Sequence, residues 1–411
     1  MSFYDTRETR DHAGRERELF ARLPAQIAHA TANTPAFAGL LDGIDPETVT
    51  SREALAGLPV IRKSELLERQ KQARPFGGFA AVRWGAGCRR VFASPGPLYE
   101  PEGAGPDYYR LARALHAAGF RAGDLVHNTF SYHFTPAGSM METAAHALGC
   151  TVFPAGTGQT EQQLAAIADL QPNAYVGTPS FLRILLDKAT EAGVGISLRK
   201  ALVSGEAFPP SLRDQFAAAG VTALQAYATA DIGLIAYETP DGEGMVVDED
   251  IVLEIVRPGT GEPVAAGEVG EVVVTTFNPD YPLIRFGTGD LSALLPGASP
   301  CGRTNLRIRG WMGRADQTTK VKGMFVHPGQ VAEVVRRHPE LGRARLVVDN
   351  PRLGDRMTLM CEVAGGGSEA LAEAIGASLR EITKLRGEVA FLAVGTLAND
   401  GKVIDDVRRY E

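Results

Sequence analysis

Apolar positions in the first forty residues recur every three and four places. Leu19, Leu23, Ile27 and Ala30 share one face, which predicts a helix within residues 7–40. The string Leu58-Pro-Val-Ile-Arg-Lys-Ser-Glu-Leu-Leu reads as a turn, with Ser64 capping a short helix. From about residue 107 helical and strand patterns alternate. Helices are predicted over Leu111–Ala118, Gly138–Leu148, Glu161–Leu170, Ser180–Ala192 and Pro210–Ala219. Short apolar strands fall between them at Leu125–Thr129, Thr151–Phe153, Ala174–Gly177 and Lys200–Val203. That order predicts an α/β fold of parallel βαβ units covered by helices on both faces. Past Asp231 the texture changes. Met245–Val256 and Val269–Thr276 are β-rich runs around the Gly/Pro-rich stretch Arg257–Gly267, a β-rich subdomain of antiparallel strands or a small barrel. The last hundred residues pattern as a small α+β domain: helix Val331–His338, strands Arg345–Val348 and Met357–Val363, and a long helix Glu369–Leu385. The predicted division is 1–315 and 316–411.

Length supports that division, because 411 residues exceed what one hydrophobic core holds. With 44% hydrophobic and 22% charged residues the composition is that of an ordinary globular protein. A net charge of −7 argues against a nucleic-acid partner, which needs a basic face. The charged N-terminus reads as no secretory signal, and no apolar run approaches a membrane span, so a cytoplasmic protein is expected. Cys88, Cys150, Cys301 and Cys361 are too scattered to signal a disulfide framework or a compact zinc site.

Chemistry enters through short strings in a fixed order. Leu-Ile-Arg-Phe-Gly-Thr-Gly-Asp ends at Asp290; Gly-Arg-Ala-Asp spans residues 313–316; Lys-Val-Lys-Gly-Met-Phe-Val-His-Pro follows from Lys320; Asn-Asp-Gly-Lys ends at Lys402. An acid after a strand, an arginine before a domain boundary and a lysine on a late loop suit one task. They can hold a nucleotide sugar and stabilise charge on a transferring phosphoryl group. Upstream, Gly205-Glu206-Ala207 follows an apolar strand, and Gln225-Ala-Tyr-Ala-Thr-Ala-Asp231 repeats the pattern. Both are either ordinary βα loops or walls that sandwich a flat base against Tyr227, with Asp231 facing a magnesium-bound phosphate.

The ordered set resembles the AMP-forming adenylate ligases, and within them the phenylacetate–CoA ligase family. The likeness runs from Leu58-Pro-x-x-x-Lys-Ser to Lys402 and includes Pro75-Phe-Gly-Gly-Phe-Ala. Tyr227-Ala228-Thr-Ala-Asp231 is similar to the family's Tyr-Gly-x-Ser/Thr-Glu motif, and Gly205-Glu206-Ala207 to its adenine loop. The resemblance implies that Asp290 binds the ribose hydroxyls and that Arg314 reaches ribose or phosphate. It also implies that Asp316 is the hinge of a C-terminal lid, that Gly323 lets pantetheine pass, and that Lys402 is catalytic. In this reading Lys402 bridges the carboxylate and the α-phosphate and neutralises charge in the transition state. Residues from Phe130 onward look like an acyl-binding wall, where Tyr132 and Phe134 pack an aromatic ring and Ala137 and Gly138 leave room beside it. The same aromatics also fit a buried strand end.

Two departures stand out. Where the family has Ser-Ser-Gly-Thr-Thr-Gly-Lys-Pro, this chain reads Ser94-Pro-Gly-Pro-Leu-Tyr-Glu-Pro101. Pro95 and Pro97 lack N–H groups, so Ser94 and Gly96 are the chief donors left, and Glu100 stands where the lysine was. Cys301-Gly-Arg-Thr matches the tail of a relative's zinc motif with a single thiolate, so no zinc is expected. The resulting reading is an AMP-forming ligase that uses ATP, Mg²⁺ and coenzyme A on an aromatic carboxylic acid, with no nucleic-acid or membrane partner; a homodimer would be unsurprising. The alternatives are an adenylating enzyme with a carrier-protein or amine acceptor, and a non-catalytic ligand-binding module.

Overall fold

The computed structural model describes the chain apart from residues 1, 95–96, 241, 258–259, 313–314, 316–318, 323, 327, 352–353, 399–401 and 410–411, and the side chains of 325, 328 and 329. Two compact units emerge, Met1–Met312 and Gly313–Glu411. The break falls three residues before the boundary that the hydrophobic pattern suggests.

The larger unit is organised by a nine-stranded sheet. Five strands run parallel, in the order Thr151–Phe153, Leu125–Asn128, Ala174–Gly177, Lys200–Val203 and Thr222–Thr229. Helices Ala137–Ala147, Thr160–Leu170, Pro179–Ala192 and Pro210–Ala218 connect them, as the alternating periods predict. Leu125–Asn128 has its sequence successors on opposite sides, so the strand order reverses there, and the crevice beyond the C-terminal strand ends is where such sheets take ligands. Antiparallel strands Gly233–Tyr237, Met245–Val247, Arg307–Ile308 and Leu294–Leu295 extend the other edge.

The β-rich run after Asp231 splits in two. Met245–Val247 joins the large sheet, whereas Ile251–Val256 joins a second, four-stranded sheet with Gly270–Thr276, Phe286–Ser292 and Ile61–Arg62. The cause is the acidic triplet between them. Asp248 takes Arg110, buried Glu249 takes Arg10 and Arg15, and Asp250 takes Arg7 and Arg22, so the chain turns where the N-terminal arginines dock. Every residue of Ile251–Val256 is buried, and its partner strand carries the fully buried Val272, Val273 and Val274. A third, three-stranded sheet consists of Arg83–Trp84 and the hairpin Gly87–Ser94/Leu98–Gly103.

Two expectations need correction. Ser64 does not cap the short helix: the helix begins at Lys63, Arg62 holds the cap position, and no side chain caps it. Asp290 does not terminate a strand but lies inside Phe286–Ser292, because Leu291 and Ser292 continue the pairing with Glu271 and Gly270.

The smaller unit is α+β. Strands Glu388–Leu392, Arg356–Val363, Leu341–Asp349 and Ile404–Asp406 form one sheet, in that order, accompanied by helices Pro328–Arg337 and Glu369–Thr383. Its own core contains Val334, Leu346, Leu359, Ile375 and Leu379. Among the described residues no helix is long and apolar enough to cross a membrane.

Candidate active site

Strand Thr222–Thr229 brings Tyr227 to the end of the parallel sheet, and strand Phe286–Ser292 of the second sheet brings Asp290 to meet it. The Tyr227 hydroxyl donates to Asp290 Oδ2 at 2.8 Å and lies 3.3 Å from Thr288 Oγ1. Thr288 accepts the Asp290 N–H at 3.1 Å, which fixes the backbone of the strand around the acid. Trp311 Nε1 donates to Asp290 Oδ1 at 3.1 Å; no motif in the sequence pointed to this residue. Asp290 is buried, and each oxygen of a carboxylate can accept two hydrogen bonds.

Gly205, Glu206 and Ala207 occupy the loop after Lys200–Val203. Gly205 has φ +83, a left-handed conformation that favours glycine. Glu206 Oε2 accepts Ser180 N–H at 3.3 Å at the start of helix Pro179–Ala192, while its backbone carbonyl accepts Gln225 Nε2 at 2.9 Å. The carboxylate thereby sits at the positive end of that helix. Ala228 lies within Thr222–Thr229, paired with Leu234.

Asp231 follows two residues later. Its Oδ2 accepts Lys63 Nζ at 2.5 Å, and its Oδ1 is buried with no hydrogen-bond partner. A hard oxygen ligand without a partner suits Mg²⁺. Among the described residues no group of three or more His, Cys, Asp or Glu could hold a metal, so water or phosphate oxygens would complete any Mg²⁺ shell there.

Lys63 reaches Asp231 because of Arg285, the arginine of the Leu283–Asp290 string. Arg285 is fully buried, pairs with Glu254 at 3.0 Å through both nitrogens, and donates to the carbonyls of Ala56 and Leu58. Its own carbonyl accepts Ile61 N–H at 3.0 Å. The segment is thereby clamped in parallel register, Ile61 opposite Phe286 and Arg62 opposite Gly287.

The altered loop proves to be the tip of the hairpin Gly87–Ser94/Leu98–Gly103, where Ser94 pairs with Leu98. Here the expectation of free phosphate donors changes. Ser94 directs both its O–H, at 2.5 Å, and its N–H, at 3.3 Å, to Glu100. Nor does Glu100 stand exposed to repel phosphates. It is buried, and burial together with the Asp231 charge pushes its pKa up to about 8, against the opposing pull of Lys63 and Ser94. Gly96 lies outside the described residues.

At the acyl wall, Tyr132 accepts Asn128 Nδ2 and donates to Glu142 Oε2, both at 2.8 Å. Ala137 opens helix Ala137–Ala147. The space at Gly138 is already filled, which corrects its expected role: a Cβ there would come 2.7 Å from the Ser131 carbonyl oxygen and 2.9 Å from the Tyr132 ring. Glycine at 138 makes room for Tyr132 itself. Phe134 is 81% exposed with φ +61, so it is no buried strand-end aromatic.

In the smaller unit, Lys402 precedes Ile404–Asp406; it is half exposed and pairs with Asp405 at 3.3 Å. Arg345 Nε donates to the Lys402 carbonyl oxygen at 3.1 Å, tying that backbone to the sheet. Arg314, Asp316 and Gly323 lie outside the described residues.

A doubly wound sheet with a tyrosine–aspartate pair and a second acid at its ligand-binding end, followed by a small α+β unit, defines an AMP-forming ligase. The AMP-binding enzyme family matches residues 107–278. The phenylacetate–coenzyme A ligase of Thermus thermophilus is 32% identical over 393 residues, 90% of this chain and 87% of that protein. That of Aromatoleum evansii is also 32% identical, over 83% of this chain and 80% of the relative. A 2-hydroxyisobutyryl-CoA ligase crystallised with its acyl-adenylate and coenzyme A superimposes with a TM-score of 0.78 at 23% identity, covering 98% of this chain and 92% of that one. The chain belongs to the phenylacetate–CoA ligase family. It is an AMP-forming carboxylate–CoA ligase using ATP, Mg²⁺ and coenzyme A, and the readings as a non-catalytic module or a ligase for other acceptors are not favoured.

Proposed function

We propose that the acid is aromatic and phenylacetate-like, and that it is activated at the C-terminal end of the parallel sheet. One observation carries the assignment of the nucleotide site: two separate sheets deliver Tyr227 and Asp290 into hydrogen-bond contact, with Asp231 four residues beyond Tyr227 in the chain. Asp290 receives the ribose hydroxyls. Gly205, Glu206, Ala207, Tyr227 and Ala228 border the adenine, and Ser94 and Gly96 border the phosphates. Asp231 is the residue that would hold Mg²⁺, which supplies charge neutralisation on the phosphates when bound. Arg314 adds a contact to ribose or phosphate.

The two half-reactions divide between the units. In the first, Lys402 neutralises charge as the carboxylate oxygen attacks the α-phosphorus and pyrophosphate leaves. In the second, the smaller unit turns about Asp316 as a lid, and the thiol of coenzyme A passes Gly323 to displace AMP. Tyr132, Phe134 and Ala137 border the acyl group. The four cysteines are all free, consistent with a reducing cytoplasm, and a homodimer is part of this reading.

Pyrophosphate release across a panel of aryl acids, with and without coenzyme A, tests the proposal. The expected products without coenzyme A are pyrophosphate and a retained acyl-adenylate. Activity confined to aliphatic acids would overturn the aromatic assignment, and ADP with orthophosphate would overturn the mechanism.

A further inference from the structure

The tip of the hairpin, which faces the phosphate region, brings no cation of its own: residues 94–101 contain neither lysine nor arginine. Its single charged side chain, Glu100, is buried under the two donors of Ser94. A triphosphate bound beside Asp231 therefore needs positive charge from another segment, apart from any metal. The Arg285 clamp supplies one. With Ile61 opposite Phe286 and Arg62 opposite Gly287, the pairing ends at Arg62, and Lys63 follows it directly as the first residue of helix Lys63–Gln72. Its ammonium stands 2.5 Å from Asp231 Oδ2, and its side chain is 22% exposed against 0% for the acid, so it approaches from the open side.

We propose that Lys63 is the phosphate-binding lysine of this enzyme, delivered from the N-terminal segment in place of the one that the hairpin lacks. The assignment rests on the reading of Asp231 as the residue nearest the phosphates. In the free protein Lys63 is held by Asp231, and a bound polyphosphate competes for the same ammonium. Asp231 acts as a positioning carboxylate for Lys63 as well as the residue suited to the metal.

The experiment measures calorimetric affinity of the full chain for AMP, ATP and pyrophosphate, in EDTA and in Mg²⁺. Lys63→Met is expected to weaken ATP and pyrophosphate by about tenfold or more, the range for losing one charge-assisted hydrogen bond, while AMP changes less than about twofold. Lys63→Arg should recover much of the loss. Since Lys63→Met leaves Asp231 buried beside no ammonium and can fail to fold, a second pair of variants keeps the test open. In EDTA, Asp231→Asn releases Lys63 and should tighten ATP; adding Lys63→Met to Asp231→Asn should abolish that gain. Equal weakening of AMP and ATP by Lys63→Met would overturn the proposal and leave Lys63 as a structural counter-ion. So would equal ATP affinity in Asp231→Asn with and without Lys63. Should the unaltered protein bind neither AMP nor ATP, the nucleotide site itself has been misread, and the assignment of Lys63 falls with it.

Discussion

At the proposed sugar end of the nucleotide site, Tyr227 donates to one oxygen of Asp290 and Trp311 to the other. At the phosphate end, Asp231 has one oxygen on an ammonium and the other on no hydrogen-bond partner. The difference follows from what each end receives. Ribose hydroxyls are neutral and call for a fixed acceptor, which the Tyr227 and Trp311 donors help to orient. Phosphates with Mg²⁺ bring large charges of both signs, so the free site must hold its own charges in pairs that open on binding. In the proposed site Asp290 acts as a preorganised acceptor, whereas Asp231 and Lys63 form a pair that opens on binding.

The largest effect that would sharpen this contrast comes from the smaller unit. Lys402→Ala should slow adenylation by about 10²-fold or more, the loss expected for one charged transition-state contact. Thioester formation from pre-made acyl-adenylate should survive. Single-turnover measurement of each half-reaction checks this; equal loss in both would show that the lysine is structural or that the lid does not turn.

Asp290→Ala comes next. It should weaken AMP, ATP and acyl-adenylate alike, by about 10- to 100-fold, because all three carry the same ribose and lose the same charge-assisted hydrogen bonds. Titration with each ligand would distinguish the two ends. Were ATP affected far more than AMP, the sugar and phosphate roles of the two acids would have to be exchanged.

That contrast also explains what the chain discloses before it folds. Tyr227 lies in one short string and Asp290 ends another, so both members of the hydrogen-bonded pair stand in strings that the sequence offers. The parallel strands were legible because each apolar run is bounded by helical periods: Thr151–Phe153, Ala174–Gly177 and Lys200–Val203 form at their expected limits. Lys63 was not legible as a site residue. It lies 168 positions from Asp231, and the strand that delivers it, Ile61–Arg62, is too short to have a period. The available signals were its place in the string Leu58-Pro-x-x-x-Lys-Ser, to which no role was attached, and a deficit, an anionic loop with no cation beside a predicted polyphosphate. Trp311 gave no signal, since its contact depends on where the chain returns after Arg307–Ile308. Gly138 was misjudged because a glycine tells that space is needed but not what fills it; here the Tyr132 ring does.

Acidity offers a third test, confined to the phosphate end. The Glu100 carboxyl lies near pH 8 in the fold, raised by burial and by Asp231 from an ordinary value near 4.5. Between those values the native protein retains a proton that the unfolded chain releases, so this group's contribution to stability falls as pH rises through that window. Glu100→Gln removes the dependence. Its stability relative to the parent should rise from pH 5 to pH 9 by on the order of 1 kcal/mol or more. Denaturant midpoints at pH 5, 7 and 9 measure it, and parallel curves for the two proteins would mean that Glu100 ionises normally.

The smallest effect is expected at Trp311. Its indole N–H donates to Asp290, and the ring is half exposed, so replacement by phenylalanine removes a hydrogen bond and little packing. A hydrogen bond to a charged group is worth about 1.5–3 kcal/mol net, but the orphaned acceptor can recruit water at this partly open position, which brings the expected loss of affinity to roughly fivefold. Trp311→Phe should therefore weaken AMP and ATP by the same small factor, and Tyr227→Phe by somewhat more, because the Tyr227 hydroxyl is buried and water does not replace it readily. Isothermal titration with AMP resolves differences of this size. A Trp311→Phe loss as large as that of Asp290→Ala would show that the indole contacts the nucleotide itself, and the sugar end would then be a stacking surface rather than an oriented acceptor.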